Sequence, residues 1–180
     1  LGGRTRGGLD GWWRPPGRRN RPRSVSVSAP TFPVSLPAVP GTLTLTDEVR
    51  QAMVDHALAG LPNEACGLFS GLVGGTTVDA FHPMANAAAS REIYLFDPKE
   101  HKDVERSVDE AGRAVLGVMH SHTYTEAYPS PTDVDDASRF DPLGTWFFVI
   151  VTLKDPDPAV RAYRILDGEI TEVRIATRLG

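Results

Sequence analysis

Cysteine is almost missing from this 180-residue sequence: Cys66 stands alone, which excludes an internal disulfide framework and any zinc site built on cysteine pairs. Long hydrophobic runs are missing too. The longest, Trp146-Phe147-Phe148-Val149-Ile150-Val151, falls far short of the ~18 residues of a membrane span and has the length of a buried strand. Positive charge is not in excess. Lysine and arginine number 19 against 23 acids, a net charge of −4, whereas a nucleic-acid binder is normally basic. The length has room for one domain and little else. Hydrophobic residues at 41% and charged residues at 23% are ordinary figures for a chain with a real core. A soluble, cytoplasmic, single-domain protein is the expectation that survives, with neither nucleic acid nor membrane as a partner.

Charge is unevenly spread. Seven arginines (Arg4, Arg6, Arg14, Arg18, Arg19, Arg21 and Arg23) face one acid, Asp10, in residues 1–23, so the segment carries +6 and the remainder −10. Residues 1–40 are also rich in proline and glycine, with few apolar residues and no periodicity to offset the entropy of ordering. They read as a disordered extension ahead of a domain at 41–180. Pro30, Pro33 and Pro37 interrupt the only stretch resembling the apolar core of a signal peptide. Leu1 in place of methionine leaves open a start site placed too early.

Regular structure is expected after Gly41. Thr46 is an N-cap with Asp47 and Glu48 in the first turn, and Val49, Ala52, Met53 and Ala57 carry a helix that Gly60 and Pro62 stop. Strands follow over Cys66–Leu72 and Thr76–His82, around Gly74-Gly75. Asp97 and Pro98 open a second helix whose stripe is His101, Val104, Val108 and Ala111. The apolar run 114–119 fits a strand covered on both faces and delivers the chain to His120. A short helix starts after Ser130. Three strands end the chain, over Trp146–Leu153, Val160–Leu166 and Glu169–Ile175, the last two joined by Asp167-Gly168. The pattern is a mixed α/β domain.

The chemistry is concentrated in His120-Ser121-His122, followed after seven residues by Ser130-Pro131-Thr132-Asp133. In an extended chain residues i and i+2 share a side, so the two imidazoles address one point while Ser121 faces away. Ser130 as N-cap and Pro131 at the first helical position put Asp133 in the first turn, where its carboxylate can close on the same point. Two histidines and an aspartate suit Zn²⁺ and leave a fourth position for water. In a chain of this composition the spaced pattern arises by chance about six times in ten thousand sequences. Unpaired imidazoles at the end of a buried strand would also be costly. A hydrolase further needs a carboxylate to move the water's proton. Glu64 lies between a helix end and a buried-looking strand, where a solvated acid would be out of place.

Glu64 together with His-Ser-His-x7-Ser-x2-Asp resembles the signature of the JAMM (MPN+) metalloprotease family, and the likeness runs over about residues 44–175, through Asn86, Ser90 and Asp97-Pro98. The loop at 123–129 and the context Asn63-Glu64-Ala65-Cys66-Gly67 resemble one bacterial branch, the CysO-cysteine peptidases. The resemblance implies the JAMM/MPN, cytidine-deaminase-like fold, with a mixed central sheet flanked by helices. It implies one zinc per chain on His120, His122 and Asp133, Glu64 as general acid/base and Ser130 as donor to the oxyanion. It also implies a substrate: a small β-grasp carrier protein with a C-terminal Gly-Gly, cut to release cysteine. Removal of ubiquitin-like tags from lysine and a non-catalytic MPN binding module are the alternatives. Thr123 stands where many family members have proline. Cys66 reads as a small buried residue, His56, His82 and His101 as surface or half-buried, and Tyr124, Glu126 and Tyr128 as possible substrate contacts. No zincin H-E-x-x-H is present, and the P-C-x-x-C of zinc deaminases is excluded by the lone cysteine.

Overall fold

The computed structural model describes residues 41–178; the expected disordered extension, residues 1–40, lies outside them. Seven strands and three helices alternate as β1 (Thr42–Thr46), α1 (Asp47–Gly60), β2 (Cys66–Gly71), β3 (Thr77–Met84), α2 (Pro98–Glu110), β4 (Ala114–His122), α3 (Pro131–Phe140), β5 (Phe147–Thr152), β6 (Ala159–Leu166) and β7 (Glu169–Arg178). The sheet is mixed, with strand order β1-β3-β2-β4-β5-β6-β7, and it closes because β1 pairs in parallel with both β3 and β7. β1 is the one strand the sequence reading passes over. Its alternating Thr-Leu-Thr-Leu-Thr is a period-2 signal only five residues long, and its partners lie far along the chain.

Local signals set the other boundaries. Thr46 caps α1 by accepting from the Val49 amide. Asp97 accepts from the amides of Lys99 and Glu100 ahead of Pro98. Asp167 and Gly168 both have positive φ, the geometry of a two-residue hairpin turn between β6 and β7. The helical stripes are narrower than their spacing implied: Val54 is buried in α1 where Ala52 is exposed, and Ala111 lies beyond α2 and is exposed.

The barrel interior is a cluster drawing on all seven strands and on α1, including Leu43, Met53, Phe69, Val78, Met119, Val149, Ala162 and Val173. The opposite face is covered near α2 and α3 by Leu68, Val118, Phe148, Ile150 and Tyr163. β5 alternates between the two, which accounts for its continuous apolar run.

β4 alternates as well, but its phase shifts once. Val115 and Val118 face the outer cluster, Leu116 and Met119 the interior. The cause is a bulge: Phe69 pairs with Gly117, while Ser70 pairs with Val115, so β4 carries one extra residue. Beyond it His120 and His122 take the outer phase and Ser121 the inner one. Without the extra residue the alternation set at Val115 and Leu116 would turn both imidazoles into the interior. Gly117 permits the close approach. A Cβ there would lie 1.9 Å from the Phe147 carbonyl oxygen and 2.7 Å from the Phe69 ring. Gly117→Ala is therefore expected to cost about 2–3 kcal/mol, read as a lower urea midpoint, because the clash is with backbone and not with a flexible side chain.

Candidate metal centre and its surroundings

Three elements bring the site together. β4 ends in His120 and His122, the first turn of α3 supplies Asp133, and the segment before β2 supplies Glu64. The Nε2 atoms of His120 and His122 are 3.1 Å apart. Asp133 places Oδ1 3.2 Å from the first and Oδ2 3.5 Å from the second. These donor atoms lie within 4.8 Å of one another, close enough to share one ion.

Each side chain is held from behind. The Nδ1 of His122 lies 2.7 Å from the Glu126 carbonyl oxygen, so it carries a proton, and loss of the proton on Nε2 would free that nitrogen's lone pair for a metal. The Tyr94 ring stacks on His120 with centroids 4.7 Å apart, while His120 Nδ1 is buried with no hydrogen-bond partner. Asp133 is fixed by a capping box: its Oδ2 accepts from the Ser130 amide at 2.6 Å and its own amide donates to Ser130 Oγ at 3.2 Å. Ser130 is thus first of all the cap that aims Asp133.

Glu64 is held through its backbone. Its amide donates to the Ser90 carbonyl at 2.8 Å and its carbonyl accepts from Asn86 Nδ2 at 3.0 Å. The same Asn86 side chain bonds to Ser90, Ile93, Ala88 and Leu95, which organises the whole stretch between β3 and α2. The next residue, Ala65, is tied to β4 twice: its amide donates to Ser121 Oγ at 2.8 Å and its carbonyl accepts from the Ser121 amide at 2.9 Å.

Glu64, His120, His122 and Asp133 are each less than a tenth exposed. Burial raises the Glu64 carboxyl above the ordinary carboxylate value, against the pull of His120 and His122. Burial pushes the Asp133 carboxyl the same way, but the charge of His120 and hydrogen bonds from His120, His122 and Ser130 win, and it is held far below its usual range. Burial lowers the His122 pKa, and its bonds to Asp133 and the Glu126 carbonyl more than reverse that. Two imidazole nitrogens facing each other and a buried carboxylate converge as a donor set that a divalent cation would satisfy. The residues fit a bound metal.

Of the remaining sequence candidates, Cys66 is fully buried and burial pushes its thiol up to about 12, so it is no nucleophile. His56, His82 and His101 are half-buried and away from the cluster. Tyr124 and Tyr128 are exposed, and Glu126 pairs with Lys154. Sequence reasoning missed Tyr94 and the role of Ser121, whose signal was its position between the two histidines.

Comparison with known proteins identifies the family. The family model for prokaryotic homologs of the JAB domain matches residues 46–166. The chain belongs to the prokaryotic JAB-domain family. This is the JAMM/MPN+ group that its motif resembles, and relatives named as a peptidase and a desampylase support a hydrolase of the JAMM type. Among relatives of the JAB-domain chain, the CysO-cysteine peptidase of Mycobacterium tuberculosis is 39% identical over 131 residues, 72% of this chain and 87% of that one. The desampylase of Haloferax volcanii is 31% identical over 139 residues, 74% of this chain and 95% of that one. The solution structure of protein DSY2949 from Desulfitobacterium hafniense is similar in fold, with a TM-score of 0.69 at 33% identity, over 77% of this chain and 94% of that one.

The double tie at Ser121 makes a clear prediction. Ser121→Ala leaves the buried Ala65 amide without an acceptor and is expected to cost about 1–3 kcal/mol in urea denaturation. That exceeds the loss expected at an ordinary serine on a strand.

Proposed function

We propose that this JAB-domain chain is a zinc-dependent peptidase that hydrolyses the amide after the C-terminal Gly-Gly of a small β-grasp carrier protein and releases cysteine. The observation that carries the reading is the buried Glu64 carboxyl beside the His120, His122 and Asp133 donors. It occurs in a chain 39% identical to CysO-cysteine peptidases. A binding module has no use for a buried acid, raised above the ordinary carboxylate value, next to three converging donors.

His120, His122 and Asp133 would hold the zinc, which when bound supplies a Lewis acid that polarises the amide carbonyl and acidifies water. The work of the chain's own groups follows. Glu64, as its carboxylate, takes a proton from the attacking water. The water oxygen adds to the glycine carbonyl carbon, and charge builds on the carbonyl oxygen. Glu64 then returns the proton to the nitrogen as the C–N bond breaks, and the second proton of the water passes to the freed amine, so one water is consumed and a carrier carboxylate and an ammonium result. A raised pKa suits both halves of that shuttle. Ser130 has a hydroxyl proton to spare while its oxygen caps α3, and it donates to the oxygen that gains charge. The buried surroundings keep bulk water from competing with these bonds.

A second reading, removal of a ubiquitin-like modifier from lysine, is favoured by the 31% identity to the desampylase. The test presents a carrier-cysteine adduct and a carrier-lysine isopeptide to the purified enzyme at equal concentration and follows the carrier mass. Faster loss of cysteine is expected; preference for the isopeptide would favour the second reading. In the same assay Glu64→Gln is expected to lower the rate by about 10²–10⁴-fold with an unchanged circular dichroism spectrum. A rate above a tenth of wild type would remove Glu64 from the mechanism.

A further inference from the structure

The stretch between β3 and α2 crosses from one side of the site to the other. At Ser90 its carbonyl accepts from the Glu64 amide at 2.8 Å, and at Arg91 its carbonyl accepts from Thr123 Oγ1 at 3.0 Å. Thr123 directly follows the metal-site residue His122 and is buried, at 4% exposure. It stands where many JAMM sequences have proline, which has no side-chain donor for this bond. Arg91 is therefore anchored between the proposed proton carrier and the end of β4.

Its side chain is placed as well. The Arg91 guanidinium lies over the Tyr124 ring, with Cζ 5.6 Å from the centroid, and both residues are exposed. The other cation near this loop, Lys154, is taken up by Glu126. The neighbouring acid Glu92 acts on Glu64 by its charge. Arg91 itself has no carboxylate partner among the described residues, although its neighbour Glu92 is an exposed acid. Lys154 being paired, Arg91 is the exposed cation of this stretch that is free to accept a substrate carboxylate.

We propose that Arg91 binds the α-carboxylate of the departing amino acid, and so selects adducts whose leaving group is a free amino acid. This rests on the peptidase reading above and names the feature of the substrate that it recognises. An amine released as a free amino acid carries a carboxylate one carbon away from the nitrogen that Glu64 protonates. A lysine side chain within a protein carries none there, because Nε is separated from the backbone by the length of the side chain and the backbone carboxyl is itself in a peptide bond. The planar guanidinium can take a carboxylate with two parallel hydrogen bonds, and the cation-π approach to Tyr124 favours one placement of the side chain. Discrimination between the two leaving groups then comes from one ionic contact at the rim, not from the catalytic groups.

The test compares two adducts of one carrier, carrier-cysteine and carrier-cysteinamide, which differ only in that carboxylate. Wild type is expected to favour carrier-cysteine in kcat/KM by about tenfold to a hundredfold. Arg91→Gln is expected to bring that ratio close to one, and Arg91→Lys to retain part of it. Circular dichroism checks that the variants are folded, as expected for an exposed side chain. A wild-type ratio near one, or a ratio unaltered in Arg91→Gln, would overturn the assignment while leaving the peptidase reading intact. Failure of wild type to cleave either adduct would overturn the peptidase reading, and this inference with it.

Discussion

The two hydrogen bonds between Ala65 and Ser121 are the constraint on which the site depends. They fasten the segment carrying Glu64 to the residue between the two imidazoles. The spacing of acid and histidines is thereby set by strand geometry rather than by loops. The bulge at Gly117 sets the phase of that strand, so that Ser121 points inward to make the tie while His120 and His122 point outward. One register shift fixes all three orientations. A site placed on the last residues of a buried strand gains precision that a loop would not give.

That arrangement is costly. Four ionisable side chains are withdrawn from water in one corner, and each uncompensated charge there opposes folding by several kcal/mol. Part of the cost is offset internally: the capping box neutralises the demand of Asp133, and the Glu126 carbonyl fixes His122. The loop that supplies this carbonyl is itself pinned to the barrel, since the Tyr163 and Thr152 hydroxyls donate to the carbonyls of Ala127 and Thr125. The unpartnered Nδ1 of His120 and the facing Nε2 atoms remain. A bound cation would relieve the second of these, and would then stabilise the fold through mass action.

Much of this was legible in the sequence. Caps at Thr46, Asp97 and Ser130, the turn at Asp167-Gly168 and the unbroken apolar run at β5 are local signals, and each marks its element. Barrel closure was not legible, because β1 is short and its partners are distant in sequence. The bulge was hidden for a different reason: a continuous apolar run such as 114–119 has no alternation from which a phase could be read. At the site, the i, i+2 rule and the helix cap anticipated that His120, His122 and Asp133 would converge. Tyr94 stacking on His120 was out of reach, since it depends on the path of an irregular stretch organised by Asn86. So was the Thr123 bond to Arg91, visible beforehand only as a departure from the family pattern.

The central claim is that one zinc is held by His120, His122 and Asp133, and X-ray absorption at the zinc edge, combined with elemental analysis, tests it most directly. The account predicts about one zinc per chain, with its nearest scatterers nitrogen and oxygen at about 2.0–2.2 Å, and loss of the metal in His122→Ala. A sulfur scatterer at about 2.3 Å, which only Cys66 or a methionine could provide, would contradict it. So would full zinc content in His122→Ala.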